Sequence, residues 1–211
     1  MRLYLASTSP ARLTLLRAAG IEPRTIAPGV DESALVAATE ATEGPLAPEA
    51  LVQLLAQAKA DAVVGATVDG DPIDGFILGG DSAFVVDGVI HGKPHEPHIA
   101  RERWLAQRGR SGDLWSGHWL IDHRGGRARG AIGRAAVARV EFADVDDAEI
   151  DAYVATGEPL AVAGAFTVDS LGGPFIRNVV GDPSTVVGLS LSTLRELVRE
   201  FDVTWTDLWN R

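Results

Sequence analysis

The sequence contains no cysteine, and no part of it is apolar over the roughly 20 residues that span a bilayer. Without cysteine the chain cannot build a disulfide scaffold, a thiolate nucleophile or a zinc site with sulfur ligands. The apolar start, MRLYLA, is interrupted by Ser7, which is too early for the apolar region of a signal peptide. We therefore predict a soluble protein of the cytoplasm that has no membrane partner.

Basic residues are also scarce. The 211 residues include 19 Lys and Arg against 29 Asp and Glu, which gives a net charge of −10. This balance argues against a nucleic-acid-binding surface, because such a surface needs clustered basic residues. A small polyanion such as a nucleotide is still compatible, since it needs only a few basic side chains that converge in one cleft.

The composition and length predict one globular α/β domain that covers residues 1–211. Hydrophobic residues make up 46% of the chain, which is typical of folded proteins, and no linker divides it. Strand-like apolar segments alternate with helix-like segments, and the turn dipeptide Asp87-Gly88 predicts a hairpin. Antiparallel hairpins combined with helices indicate a mixed rather than a purely parallel sheet.

The local patterns also predict where the elements lie. Strands are predicted inside 127–142 and at residues 3–6, 76–78, 83–86, 89–91, 114–122, 161–168 and 174–180. The segments 39–48 and 65–75 are predicted loops. A final helix is predicted with Thr193 and Glu196 as a capping box, after helices at 10–20, around 51–62, at 96–107 and at 146–156.

The first candidate functional segment is the turn Ser7-Thr8-Ser9-Pro10-Ala11-Arg12 between a strand and a helix. The first turn of a helix leaves about four backbone N–H groups without partners, and together with the hydroxyls of Ser7 and Ser9 they can bind an anion. Arg12 adds a side chain suited to phosphate. The simpler alternative is that Ser9 only caps the helix and that Arg12 is solvated.

Other chemical groups are scattered along the chain. Gly79-Gly80-Asp81-Ser82 is predicted to end a strand with a carboxylate, which suits catalysis or a metal but is also typical of a turn. Lys59 in a helix and Lys93 in a Gly-Lys-Pro loop can bind phosphate or be solvated. Asp31-Glu32 can bind a divalent cation or cap the segment that follows. The histidines show no metal-binding spacing.

In this order the segments resemble the Maf family, and the likeness covers nearly the whole chain. It rests on the segments above and on three further blocks, Tyr153-Val154-Ala155-Thr156-Gly157-Glu158-Pro159-Leu160, Ala163-Gly164-Ala165-Phe166 and Gly181-Asp182-Pro183-Ser184-Thr185-Val186-Val187-Gly188-Leu189. The resemblance implies the fold of the inosine triphosphatases. That fold is an elongated mixed β-sheet with flanking helices and two lobes around a central cleft, often in a homodimer.

The resemblance also implies an activity. Members of the family are nucleoside triphosphate pyrophosphatases, some of them acting on modified nucleotides, that release a nucleoside monophosphate and pyrophosphate. They use a divalent cation, Mg²⁺ or Mn²⁺, and are linked to septum formation in cell division. By this likeness Asp81 is expected to be the proton acceptor and, with Glu32, to hold the metal. Lys93 is expected to act in catalysis, and the expected substrate-binding residues are Ser7, Ser9, Arg12 and Lys59.

Three positions depart from the commonest pattern of the family. Ala11 stands where many members have a first arginine, Ser82 replaces the usual threonine, and Asp169 replaces a glutamine typical of members that act on dTTP and UTP. These positions are associated with selectivity for the base. A carboxylate cannot donate to a pyrimidine carbonyl, but it can accept from a guanine, so Asp169 favours a purine substrate.

Two other functions compete with this prediction. The chain could be a non-catalytic regulator of cell division that binds a nucleotide or a protein partner. It could also be an ordinary phosphohydrolase that releases orthophosphate. The combination of Asp81 with several basic residues favours the pyrophosphatase, because a protein that only binds would not need that carboxylate.

Overall fold

The apolar segments of the chain assemble into one seven-stranded mixed sheet, in a computed structural model that describes residues 1–211. The first two strands are β1 (Leu3–Ala6) and β2 (Arg24–Ile26), and β3 (Thr67–Val68) and β4 (Asp71–Pro72) form a separate small hairpin. The remaining strands are β5 (Gly75–Val86), β6 (Val89–His91), β7 (Ser111–His123), β8 (Gly130–Phe142) and β9 (Ile176–Val180). The strand order is β2-β1-β5-β7-β8-β9, and β6 also pairs with β5.

Seven α-helices flank the sheet. They are α1 (Pro10–Ala18), α2 (Glu32–Glu43), α3 (Pro48–Asp61), α4 (Pro97–Gln107), α5 (Asp147–Ala155), α6 (Pro183–Val187) and α7 (Leu191–Arg199). Strand β1 runs parallel to β2 and β5, whereas β5, β7, β8 and β9 pair antiparallel. The predicted α/β class with a mixed sheet and flanking helices is therefore confirmed. None of the helices has both the length and the apolar composition that a bilayer crossing requires.

The long strand β5 contributes to separate parts of the hydrophobic core. Phe76 and Leu78, near its start, pack with residues of β1, α1 and α7. Phe84, near its end, packs with Trp104 and Phe142 in another cluster. The segment of β5 between these two clusters carries Gly79-Gly80-Asp81-Ser82, so the polar residues lie between two apolar regions.

One edge of β5 has no paired strand between Gly79 and Phe84. Strand β1 pairs with β5 only as far as Gly79, and β6 begins to pair at Phe84. On the other edge β7 pairs with β5 continuously from Gly75 to Val85. The residues between Gly79 and Phe84 therefore have no strand neighbour on one side, and this gap opens into a cleft.

The expectation that Gly79-Gly80-Asp81-Ser82 ends the strand is wrong, because β5 continues to Val86. A Cβ atom on Gly79 would lie 2.0 Å from the carbonyl oxygen of Ala56 in α3. A Cβ atom on Gly117 in β7 would lie 2.2 Å from the carbonyl oxygen of Val52. These glycines let α3 lie directly on the sheet and do not form a turn.

Other local expectations were also wrong. Helix α2 extends through Glu43 into the predicted loop 39–48. The predicted strand 161–168 instead contains short 3₁₀ turns, because Gly164 and Ala165 have positive φ values of 74° and 62°. Thr193 does not cap α7, since Ser190 is the N-cap and accepts from the backbone N–H of Thr193.

Candidate active site

The cleft beside β5 gathers all the residues that the sequence singled out for substrate, metal and selectivity. Its volume is about 770 Å³, which is within the usual range for small-molecule sites. The ten predicted residues that line it are Ser7, Ser9, Ala11, Arg12, Glu32, Lys59, Asp81, Ser82, Lys93 and Asp169. They come from six different segments of the chain, so only the fold brings them together.

The turn between β1 and α1 is ordered by its own hydroxyl groups. Ser9 caps α1 by accepting from the backbone N–H of Arg12, and the hydroxyl of Ser7 accepts from the backbone N–H of Ser9. The backbone N–H groups of Thr8 and Ala11 donate to no group of the protein. These two donors, at the positive end of the helix, are therefore available to an anion in the cleft.

Arg12 is buried, with 8% of its surface exposed, and is not the solvated side chain of the simpler interpretation. Its Nε atom donates to the carbonyl of Gly188 at 2.7 Å, Nη1 to Ser7 Oγ at 3.3 Å and Nη2 to Ser82 Oγ at 3.0 Å. Burial lowers the pKa of Arg12, and the nearby carboxylates of Asp81 and Glu32 oppose that effect. Three of its five N–H groups are thus used to fix the guanidinium in one orientation.

Lys59 is buried in the site and contacts two carboxylates. Helix α3 carries it towards the sheet, and only 9% of its side chain is exposed. Its Nζ atom lies 2.6 Å from Asp81 Oδ1 and 2.8 Å from Glu32 Oε1. The close contact of α3 with Gly79 explains this position, because a larger residue there would push the helix and Lys59 away from Asp81.

The two carboxylates that contact Lys59 differ in how firmly they are held. Asp81 projects from the middle of β5 and has 14% of its side chain exposed. Glu32 is the first residue of α2 and is 47% exposed. Its neighbour Asp31 caps α2 by accepting from the backbone N–H of Ala34 at 3.0 Å. The capping interpretation is therefore confirmed for Asp31, whereas cation binding by Glu32 stays a prediction.

The other wall of the cleft carries Lys93 and Asp169. Lys93 follows β6, is exposed and forms no ion pair. Asp169 is also exposed and has no hydrogen-bond partner within the protein. Ser82, in contrast, is engaged, because its hydroxyl contacts Arg12 and lies 3.0 Å from Ser116 Oγ.

Two carboxylates that do not line the cleft, Glu158 and Asp182, order the segments around it. The sequence indicated them only as parts of the Maf-like blocks. Glu158 accepts from the side chains of Tyr153, Thr167 and Ser170 and from the backbone of Leu171 and Gly172. Burial opposes ionisation of Glu158, but these hydrogen bonds outweigh it and lower its pKa. The loop that carries Asp169 is thereby fixed.

Asp182 likewise orders the segment at the starts of α6 and α7. It accepts from the hydroxyls of Ser184, Ser190 and Ser192, which joins the starts of α6 and α7. Burial opposes its ionisation, yet the hydrogen bonds hold the pKa of Asp182 well below its usual range. Helix α6 ends at Gly188, the residue whose carbonyl accepts from Arg12. The Asp-Pro pair at this helix start is a signal that could have predicted α6.

His118 is a buried histidine that sequence reasoning did not identify. Its Nε2 atom accepts from the backbone N–H of Ser190 at 2.8 Å, so the proton sits on Nδ1, which donates to the carbonyl of Arg134. Burial lowers the pKa of His118 to about 4. The imidazole is therefore neutral near pH 7 and acts as a structural link between β7 and α7.

This histidine is expected to make the fold less stable in mild acid. Between pH 6.5 and about 4 the unfolded chain protonates His118 and the folded chain does not. The free energy of unfolding should fall by up to about 3 kcal/mol across that window. Urea titrations at several pH values should show that the free energy of unfolding depends less steeply on pH in His118→Asn than in wild type. An unchanged slope, or an equal change in the exposed-residue control His95→Asn, would contradict this expectation.

Comparisons with known proteins identify the family of the chain. A family model described as Maf-like protein matches residues 2–201. A nucleoside triphosphate pyrophosphatase of Leifsonia xyli is 72% identical over all of this chain and 98% of its own length. Another, of Salinispora tropica, is 50% identical over all of this chain and 88% of its own length. A crystal structure of a nucleoside-triphosphatase / dITP/XTP pyrophosphatase from Mycobacterium abscessus covers 96% of the chain at 13% identity, but its TM-score of 0.36 supports no conclusion.

Proposed function

Because this chain belongs to the Maf-like protein family, we propose that it is a metal-dependent nucleoside triphosphate pyrophosphatase. Such a hydrolase cleaves the anhydride between the α- and β-phosphates and releases a nucleoside monophosphate and pyrophosphate. Full-length relatives at 72% and 50% identity bear that name. The observation that carries the proposal is that one cleft of about 770 Å³ is lined by the basic side chains of Arg12, Lys59 and Lys93 and by the carboxylates of Glu32 and Asp81.

The triphosphate would bind between the start of α1 and the loop after β6, which lie on opposite sides of the cleft. Thr8 and Ala11 offer unpaired backbone N–H groups, and the fixed guanidinium of Arg12 keeps two N–H groups free. Lys93 can reach in from the opposite rim, because it has no ion-pair partner to leave. Prearranged donors of this kind stabilise the charge that develops on the leaving pyrophosphate.

The carboxylates of Glu32 and Asp81 would hold the divalent metal. Their oxygens already converge on one positive charge, the Nζ atom of Lys59. No third His, Asp or Glu joins them, which suits Mg²⁺ or Mn²⁺, since Mg²⁺ takes one or two carboxylates and completes its shell with water and phosphate oxygens. When bound, the metal would neutralise phosphate charge and lower the pKa of a coordinated water.

Asp81 is the group best placed to accept the proton of the attacking water. Lys59 donates to its Oδ1 atom, and its Oδ2 atom accepts no hydrogen bond within the chain. In the substrate-free site the ammonium therefore orients the carboxylate through one oxygen and leaves the other without a partner in the protein. Little further covalent chemistry is required. Hydrolysis of a phosphoanhydride depends mainly on how the reactants are positioned and on neutralisation of the phosphate charge.

The base of the nucleotide would lie near Asp169, and we propose that it is a purine. Asp169 is exposed in the cleft without a hydrogen-bond partner, and its carboxylate can only accept. A guanine presents two adjacent donors to such a group, its N1–H and its exocyclic amine, whereas thymine and uracil present a single N3–H between two carbonyls.

One assay tests both the reaction and the base. Purified protein is supplied with Mg²⁺ or Mn²⁺ and separately with GTP, 7-methyl-GTP, dTTP and UTP, and pyrophosphate and orthophosphate are measured. We expect pyrophosphate as the product, a requirement for the metal, and a larger kcat/KM for the guanine nucleotides. Orthophosphate as the product would indicate an ordinary phosphohydrolase, and binding without turnover would indicate a regulator. A large preference for dTTP or UTP would overturn the purine assignment alone.

A further inference from the structure

Lys59 occupies the position in which a cation would meet both acidic side chains. Its Nζ atom lies 2.6 Å from Asp81 Oδ1 and 2.8 Å from Glu32 Oε1. These are distances of close, charge-assisted hydrogen bonds. The two carboxylates that would hold a metal are therefore already joined by an internal positive charge.

A metal ion and this ammonium cannot share the same oxygens. A divalent cation within a few ångströms of Nζ would be strongly repelled, because the site is partly shielded from water. With 9% of the Lys59 side chain and 14% of the Asp81 side chain exposed, the solvent screens this repulsion only weakly. Metal entry therefore requires the ammonium to move to another anionic partner.

Asp81, Glu32 and Lys59 differ in how firmly the fold holds them. Asp81 is fixed within β5, which is paired on its inner edge along its length. Glu32 belongs to α2, a helix of 12 residues of which none is buried. The ammonium stands at the end of a flexible side chain, so it can turn towards phosphate oxygens in the same cleft.

We propose that Lys59 keeps the metal out of the substrate-free protein, so that the divalent cation binds together with the triphosphate. The phosphates give the ammonium a new partner and at the same time supply the oxygens that the metal still lacks. This inference rests on the proposed function, because it takes the divalent cation as the ligand of Glu32 and Asp81. It adds that metal binding and nucleotide binding are strongly coupled.

The test measures Mn²⁺ alone, without nucleotide and without turnover. Free Mn²⁺ is followed by electron paramagnetic resonance during titration of wild type, Lys59→Met and the control Lys93→Met. Lys93→Met removes one positive charge from the same cleft but from a residue that contacts neither carboxylate. We expect Lys59→Met to bind Mn²⁺ at least 10-fold more tightly than wild type, and Lys93→Met to resemble wild type.

A double variant tests whether the carboxylates cause the gain in Mn²⁺ affinity. Adding Glu32→Gln to Lys59→Met should abolish the gain in Mn²⁺ affinity. If Lys59→Met does not fold, as judged by thermal unfolding, Lys59→Gln replaces it with a polar side chain of similar reach. Equal Mn²⁺ affinity of wild type and the folded Lys59 variant would overturn the proposal, as would an equal gain in Lys93→Met.

The outcome is independent of the test of function. If wild type releases no pyrophosphate but the Lys59 variant gains Mn²⁺ affinity, the proposed function fails and the role of Lys59 stands. If wild type is an active pyrophosphatase but the variant gains nothing, only the role of Lys59 fails.

Discussion

Asp81→Asn is expected to lower kcat for pyrophosphate release by roughly 100- to 10,000-fold, which is the usual contribution of a general base. The asparagine has the same shape and its carbonyl can still accept from Lys59, which donates to Oδ1 in the native site. The amide nitrogen that replaces Oδ2 cannot accept a proton, and the substitution removes one of the two acidic ligands proposed for the metal. Initial rates at saturating nucleotide and metal measure the effect.

The loss should come without unfolding. In Asp81→Asn the ammonium of Lys59 keeps its ion pair with Glu32 and can donate to the new carbonyl, so the thermal midpoint should stay close to that of wild type. Asp113→Asn is the matched control, because Asp113 is in β7, is half exposed and has only a 4.0 Å contact with Arg139. Normal turnover by Asp81→Asn would remove this residue from the mechanism, and a similar loss in Asp113→Asn would point to a general effect of charge.

Gly79→Ala is expected to give the largest loss of stability among single-methyl additions in the site. The new Cβ atom would lie 2.0 Å from the carbonyl oxygen of Ala56 and 2.9 Å from the backbone nitrogen of Ala60. These are main-chain atoms of α3 and cannot turn aside, so the helix must shift. Overpacking of this kind costs about 1–3 kcal/mol or more, measurable by urea unfolding.

Activity should fall together with stability, even at temperatures at which the variant is folded. Lys59 precedes Ala60 on α3, so a displaced helix carries the ammonium away from Asp81 and Glu32. Gly92→Ala is the control for stability, because nothing lies within 4 Å of a Cβ atom there and its φ is not positive. If Gly79→Ala were as stable as Gly92→Ala, the close contact between α3 and β5 would be refuted.

The sequence predicted the elements whose signals are local. The Ser9-Pro10 start of α1, the Asp87-Gly88 hairpin and the Asp146 start of α5 all appear as expected, because capping and turn formation depend on neighbouring residues. The pattern was misleading at Gly79-Gly80, where glycine usually marks a turn. There Gly79 allows the close contact with the backbone of Ala56 and Ala60 in α3.

The site shows the same division. Each of the ten candidate residues was identified by its motif, and all of them line one cleft; their individual roles stay predictions. What a motif could not show is how these side chains contact one another. The solvated alternative for Lys59 fails because α3 lies close enough to the sheet to bury it between two carboxylates. Likewise, Ser82 is engaged with Arg12 and Ser116, which no sequence pattern indicates.

By itself, the sequence determined the fold class, the family and the types of side chain available for chemistry, since these depend on periodicity and on local motifs. The tertiary structure alone decided the charge distribution within the cleft. The free energy of an ammonium or a carboxylate depends on its distance from other charges and on its exposure to water, and both are set by residues far apart in the chain.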